Sequence, residues 1–278
     1  MAARWLGIIE RAPTSFGLAT AARQLPGVEV RDLDPPEAHP DVDAIVIDAA
    51  LEEREVLLMS VATTVIPVIV EMPAAATADG VERLESALSG SPVVSINPLA
   101  HHLHTRRLLE LVRDEPDPVT AIFAAWRFRP GDVQPDALAQ LLDYVARIST
   151  EPLLRIAAMR RESPDVLLAT IRYEDGVVAH IECGAHLPPS FDAPSELTVE
   201  IFRRESVLHS DAFRQALTVQ GETTRSVDWA PSAAVAALQE SLATTGDTPL
   251  RGLAEDHANL TVLDAIEWSA RQGTVARW

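Results

Sequence analysis

In the first part of the chain, hydrophobic positions come as short unbroken runs separated by stretches in which they recur every three or four residues. The runs are Arg4–Ile9, Val28–Val30, Val42–Ile47, Val65–Val70 and Val93–Ile96. Such runs have no polar face and predict strands buried on both sides. Between them the spacing predicts helices over Thr14–Leu25, with Thr14 or Ser15 as cap and Gly27 as stop, over Leu51–Thr63, over Thr77–Leu88, and from Asn97-Pro98 through Val112. Strand and helix in alternation mean a doubly wound, Rossmann-like parallel sheet of the α/β class. The run from Thr64 to Pro73 is the most apolar. It must end at Glu71-Met72, because Pro73 has no amide to continue a central strand. In an open α/β sheet ligands sit at the carboxyl ends of the strands, so a ligand is expected near Met72.

A polar, proline-punctuated stretch, Asp114-Glu115-Pro116-Asp117-Pro118, marks the boundary between an expected domain of residues 1–115 and one of 116–278. The rhythm then changes. After a strand at Val119–Trp126 and a helix at Asp136–Ile148, strands follow at Leu153–Met159, Val166–Tyr173, Val177–Cys183, Leu197–Phe202 and Ser206–Leu208. Runs of strands with few helices predict an α+β domain with an open antiparallel sheet. A last helix, Gly252–Gln272, is expected to pack back on one of the two sheets.

Composition narrows the function more by exclusion than by indication. The 278 residues carry a formal net charge of −18, which argues against a nucleic-acid footprint. No apolar stretch is long enough to span a bilayer and no secretory leader is visible, so a cytoplasmic protein with no membrane association is expected. Cys183 is the sole cysteine, and nothing near it in sequence would activate it. All 23 basic residues are arginines. No lysine is available as a Schiff base or as a titratable acid, and arginine stays charged at any working pH.

The first strand–turn–helix–strand unit closes on Asp32 and Asp34, as a dinucleotide-binding fold would. Its turn reads Glu10-Arg11-Ala12-Pro13-Thr14-Ser15 where glycines would admit a pyrophosphate. Glu10 repels a phosphate, Pro13 lacks a donor, and Arg11 restores charge but not close backbone contact. Those side chains favour a structural turn without a dinucleotide.

The chain resembles the glucose–fructose oxidoreductase and inositol dehydrogenase (Gfo/Idh/MocA) family in three places. These are the strand Val42-Asp43-Ala44-Ile45-Val46-Ile47, the strand end Val68-Ile69-Val70-Glu71-Met72-Pro73, and the helix Leu263-Asp264-Ala265-Ile266-Glu267-Trp268-Ser269-Ala270 with Gly273 behind it. The resemblance implies NAD(P) in the first domain, held through the region of Arg11, Thr14, Ser15, Asp32 and Asp34. It also implies redox chemistry on a sugar- or cyclitol-like small molecule in the cleft between domains. Catalytic positions map onto Glu71, Met72, Asp136 and Gln140. Met72 stands where the family has a lysine and Gln140 where it has a histidine, and neither a thioether nor an amide shuttles protons. The loop Pro35–Pro40 replaces a helix and strand that wall the adenosine pocket in the family, which shortens the first domain.

Arg127 and Arg129 are candidate clamps for a substrate carboxylate or phosphate, against the plainer reading of surface ion pairs. His180 is a further pocket candidate. His101 and His104 share a helix face, but with no acid or cysteine close by no metal site is expected. Val177, Ala179, Ile181 and Cys183 alternate with Val178, His180 and Glu182, giving a two-sided strand. Relatives commonly dimerise on the outer side, so a homo-oligomer, or a heteromer with an active paralogue, is expected. The expected function is a binding, scaffold or partner subunit that has lost its redox chemistry. The alternatives are an active NAD(P)-dependent oxidoreductase with a rearranged site and a redox-neutral lyase or isomerase.

Overall fold

The computed structural model describes residues 4–11, 16–34, 41–62, 64–88, 92–114, 117–132, 134–149, 151–211, 216–219, 222–225, 232–243 and 252–278. In chain order the elements are β1 (Arg4–Glu10), α1 (Leu18–Arg23), β2 (Val28–Asp32), β3 (Ala44–Asp48), α2 (Leu51–Ser60), β4 (Val68–Glu71), α3 (Ala78–Ala87) and β5 (Val93–Ile96). A 3-10 turn (Pro98–His101) leads to α4 (Leu103–Asp114), β6 (Val119–Phe128), α5 (Ala137–Ala146), β7 (Leu153–Glu162), β8 (Asp165–Tyr173) and β9 (Val178–Ala185). Then come β10 (Ser195–Arg203), β11 (Val207–Asp211), β12 (Ala216–Val219), β13 (Glu222–Arg225), α6 (Ala233–Ala243), α7 (Leu253–Gln272) and β14 (Ala276–Arg277). The chain forms two compact units, Met1–His101 with Pro231–Thr261, and His102–Ala230 with Val262–Trp278.

The first unit is built on a five-stranded parallel sheet of order β2-β1-β3-β4-β5. Period-two alternation sends Ile9, Ile45, Ile47, Val68 and Val70 to one face, against Leu57 and Leu58 of α2, Val81 and Leu84 of α3, and Leu260 of α7. Leu6, Ile8, Val46, Ile69 and Val94 go to the other, against α1 and against Ala234 and Leu238 of α6. Both faces are covered, as the unbroken apolar runs require. Gly7 leaves room for the Leu33 side chain, which a Cβ there would displace.

The second unit is a nine-stranded mixed sheet of order β13-β12-β11-β10-β6-β9-β8-β7-β14. Its neighbours are antiparallel except β6 and β9, which run parallel. The sequence pattern predicts a purely antiparallel sheet, because one parallel pair leaves no trace in alternation. One face is dry, with Ile122, Ala179, Ile181, Val199 and Ile201 all buried. The other carries Phe123, Leu168 and Met159, exposed by 42%, 41% and 61%. α1 is also shorter than expected. It starts at Leu18 behind Gly17, whose φ of 63° fits the left-handed region that glycine tolerates, whereas the expected caps Thr14 and Ser15 lie outside the described residues.

Candidate functional site

In the first unit the strand ends Glu10, Asp48, Glu71 and Ile96 line up at the carboxyl edge of the sheet. β1, β3 and β4 arrive as apolar runs, and the acidic residue that ends each is drawn into bonds within the unit. Asp48 is 1% exposed. Its Oδ2 accepts the Ala19 N–H in the first turn of α1 at 2.7 Å, and its backbone carbonyl accepts the Arg11 N–H at 3.0 Å. Its Oδ1 is buried without a hydrogen-bond partner among the described residues.

Beside it, Arg23 of α1 donates to Glu10 at 2.8 Å and to Asp32 at 2.7 Å. Those two carboxylates raise the Arg23 pKa above its ordinary value, Asp32 contributing most. Asp32 is thus shared with the chain's own guanidinium, while Asp34 stays exposed. The loop Pro35–Pro40, like Thr14 and Ser15, lies outside the described residues.

At the end of β4 the same pattern repeats. Arg54 of α2 is 1% exposed, and its guanidinium donates to the carbonyls of Ala49 at 3.0 Å, Glu71 at 3.1 Å and Pro73 at 3.0 Å. Glu71 and Met72 are 0% and 1% exposed, and the Met72 N–H donates to the Ile96 carbonyl at 2.8 Å. Asp256, in the first turn of α7, accepts the Ala74 N–H and the Ser95 hydroxyl through Oδ2, both at 2.7 Å.

In the second unit, Asp136 precedes α5 and Gln140 lies one turn in. The Gln140 N–H donates to the Asp136 carbonyl at 3.0 Å, and both side chains are buried. Asp143, fully buried, pairs with Arg147 at 2.8 Å. Arg127 on β6 is bound by Glu182 at 2.8 Å and Glu196 at 3.0 Å. Glu182 chiefly, then Glu196, raises the Arg127 pKa, and Arg127 in turn holds the Glu182 carboxyl below its usual range. Arg129 pairs with Asp132 at 2.9 Å. Both arginines therefore sit in the ion pairs that are the plainer reading of their sequence.

His180 lies on the exposed face of the second sheet, its Nδ1 3.1 Å from the Thr170 hydroxyl and its ring stacked on Phe123 at 4.7 Å. That face is concave, enclosing about 720 Å3 lined by residues including Phe123, Leu168, Thr170, His180, Glu200 and His209. Cys183 is buried, and its thiol is pushed up to about 12 by burial. No group of three or more metal-ligating side chains occurs among the described residues.

The structure thus divides the candidates. Glu71 and Met72 stand together at the end of β4, Arg11 and Asp32 at the ends of β1 and β2, and Asp136 just before α5 with Gln140 in its first turn. Sequence reasoning passed over Asp48, Arg23, Arg54 and Asp256. Asp48 was legible as the acid that ends a buried strand. An arginine or aspartate inside an acidic helix carries no such mark, because only the fold shows which carbonyls it meets.

This pairing of a parallel α/β sheet with a second unit on a large mixed sheet is the architecture of NAD-binding oxidoreductases. Among solved structures, an oxidoreductase from Agrobacterium radiobacter in complex with NAD+, L-tartaric acid and magnesium is similar over 99% of this chain and 98% of its own, with a TM-score of 0.79 and 13% identity. GenD2 from gentamicin A biosynthesis, in complex with NAD, matches 100% of this chain and 97% of its own at a TM-score of 0.78 and 14% identity. An NAD-binding oxidoreductase from Klebsiella pneumoniae matches 99% of both chains at 0.80 and 13%. Neither a protein-family model nor a curated protein matches the sequence. At these identities the likeness is one of fold.

Proposed function

We propose that this chain is a binding or partner subunit that keeps the fold of the NAD-binding oxidoreductases without their redox chemistry. The observation that carries the reading is the Asp48 carboxylate on the Ala19 N–H at 2.7 Å. In a dinucleotide-binding unit the first turn of this helix receives a pyrophosphate. Here a carboxylate of the chain takes a donor of that turn, and a phosphate brought beside it would meet like charge.

Two further features support it. Arg23 holds Asp32, so a ribose hydroxyl would compete with an ion pair for that acid. Met72 and Gln140 replace the proton-transferring residues that the resemblance implies, and the chain has no lysine to substitute. The residues present therefore do not fit NAD(P), and no step is assigned to it.

What the subunit binds, on this reading, is a second copy of itself across the exposed sheet face. That face bears Arg155, Arg161 and Arg172 toward one side, on β7 and β8, and Glu196, Glu200 and His209 toward the other, on β10 and β11. A two-fold axis through the middle lays the basic side of each copy over the acidic side of the other, with Phe123, Met159 and Leu168 between them.

Turnover tests the loss of chemistry. Incubation with NAD+ or NADP+ and a panel of sugars, cyclitols and hydroxy acids, followed at the nicotinamide absorbance, is expected to give no rate above the enzyme-free background. A sustained rate on any of them, abolished by Asp136→Asn, would overturn the reading.

A further inference from the structure

The parallel sheet of the first unit ends at β2, and that edge has a feature the exposed face of the second sheet does not share. β2 pairs with β1 in the register Arg4↔Val28 to Ile8↔Asp32, and the Leu33 N–H donates to the Ile8 carbonyl at 2.8 Å. In a strand the amide and carbonyl of one residue point to the same side, and successive residues alternate. The bond from Leu33 therefore turns the backbone groups of Glu29 and Arg31 toward β1. Those of Val28, Val30 and Asp32 point outward, and no strand pairs with them among the described residues.

The side chains alternate as well. Val28 and Val30 pack toward the core on the α1 side, and Asp32 pairs with Arg23. Glu29 and Arg31 project from the opposite face, exposed and with no ion pair among the described residues. Trp5, in register with Glu29 on that face, is 41% exposed.

Charges on an edge strand ordinarily keep it solitary. These two are of opposite sign and stand symmetrically about Val30. An antiparallel copy of β2 with the two-fold axis at Val30 sets Val30 against Val30, Val28 against Asp32, and Glu29 against Arg31 twice over. The Val30 and Val28–Asp32 positions are then the hydrogen-bonded pairs, with outward backbone groups meeting outward backbone groups. Glu29 and Arg31 fall at the non-hydrogen-bonded positions, where facing side chains come closest. The strand is complementary to itself in hydrogen bonding, register and charge at once.

We infer that β2 is a self-association edge, by which two copies of this chain join their five-stranded sheets antiparallel into one ten-stranded sheet, with paired Glu29–Arg31 contacts across the axis. The pairing uses a different surface from the exposed face of the second unit, and stands or falls separately from it. A chain with both surfaces assembles beyond the dimer.

Sedimentation velocity at low salt in a Phe123→Glu background, which removes the other surface, isolates the edge. A dimer is expected there at up to about 100 µM, a modest affinity for a five-residue pairing. Val30→Pro removes an outward amide without touching the ladder to β1 and is expected to leave a monomer with unchanged circular dichroism. Arg31→Glu sets like charges opposite each other twice and is expected to weaken the dimer by about tenfold. The swap Glu29→Arg with Arg31→Glu restores opposite pairs and is expected to recover it. Amide exchange gives a readout free of substitution at β2: Val28, Val30 and Asp32 are expected to gain protection as concentration rises. A monomer throughout, or a dimer indifferent to both Val30→Pro and Arg31→Glu, would overturn the inference.

Discussion

Arg54 shows most clearly how single residues organise the first unit. A guanidinium has five donors and no acceptor, and in water all five are satisfied. Buried at 1% exposure, it meets the carbonyls of Ala49, Glu71 and Pro73, joining the chain after β3 to the chain after β4. Removing it leaves those carbonyls facing an apolar void, and each unsatisfied buried acceptor costs about 1–3 kcal/mol. Arg54→Leu is therefore expected to lower stability by about 3 kcal/mol or more, measured by urea denaturation. A loss below about 1 kcal/mol would show that water replaces the guanidinium. The same accounting separates Arg54 from Arg83, whose pair with Glu55 is largely exposed and contributes little. None of this was visible in Leu51-Glu52-Glu53-Arg54, where the arginine reads as one more charge on a helix. A sequence shows that a residue is charged, and the packing shows whether it is solvated.

At the level of elements, legibility followed burial. β3 and β4 are buried along their whole length; the apolar run of β3 was readable to within about two residues, whereas β4 begins at Val68, three residues after the expected Val65, which is 83% exposed. α6 was missed although it covers a face of the parallel sheet. Its sequence, Ala-Ala-Val-Ala-Ala-Leu, is apolar almost all round and has no stripe to betray a helix. β9 shows the opposite case. Its alternation was plain in sequence, so the two faces of the second sheet were anticipated, whereas its parallel pairing with β6 was not.

The outer face is where the element scale makes its prediction. Phe123 stands at its centre, 42% exposed, in contact with His180 and edge-on to Phe202 at 5.3 Å. A carboxylate placed there would be desolvated by a second copy lying across the sheet. Phe123→Glu is expected to lower the mass seen by light scattering at micromolar concentration, with the fold intact by circular dichroism. An unchanged mass, or wild-type protein that is monomeric at that concentration, would remove this face from the account and leave its apolar residues without a role.

For the molecule as a whole, the likeness to known proteins is one of fold. The likeness to NAD-binding oxidoreductases runs over 97% or more of both chains for the structures compared, so the scaffold is shared in outline from end to end. Three local features of this chain stand against a dinucleotide: the Asp48 carboxylate on the first turn of α1, Arg23 on the Asp32 carboxylate of β2, and Met72 at the end of β4. The formal net charge of −18 works in the same direction, since every added phosphate approaches an already anionic chain.

The direct test is a calorimetric titration of the unmodified protein with NAD+, NADH, NADP+ and NADPH. The account predicts no binding, or a Kd of about 1 mM or weaker for all four, equivalent to about 4 kcal/mol or less. Micromolar binding of any one of them would mean that Asp48 yields its place on the Ala19 amide to a phosphate, and would contradict the account.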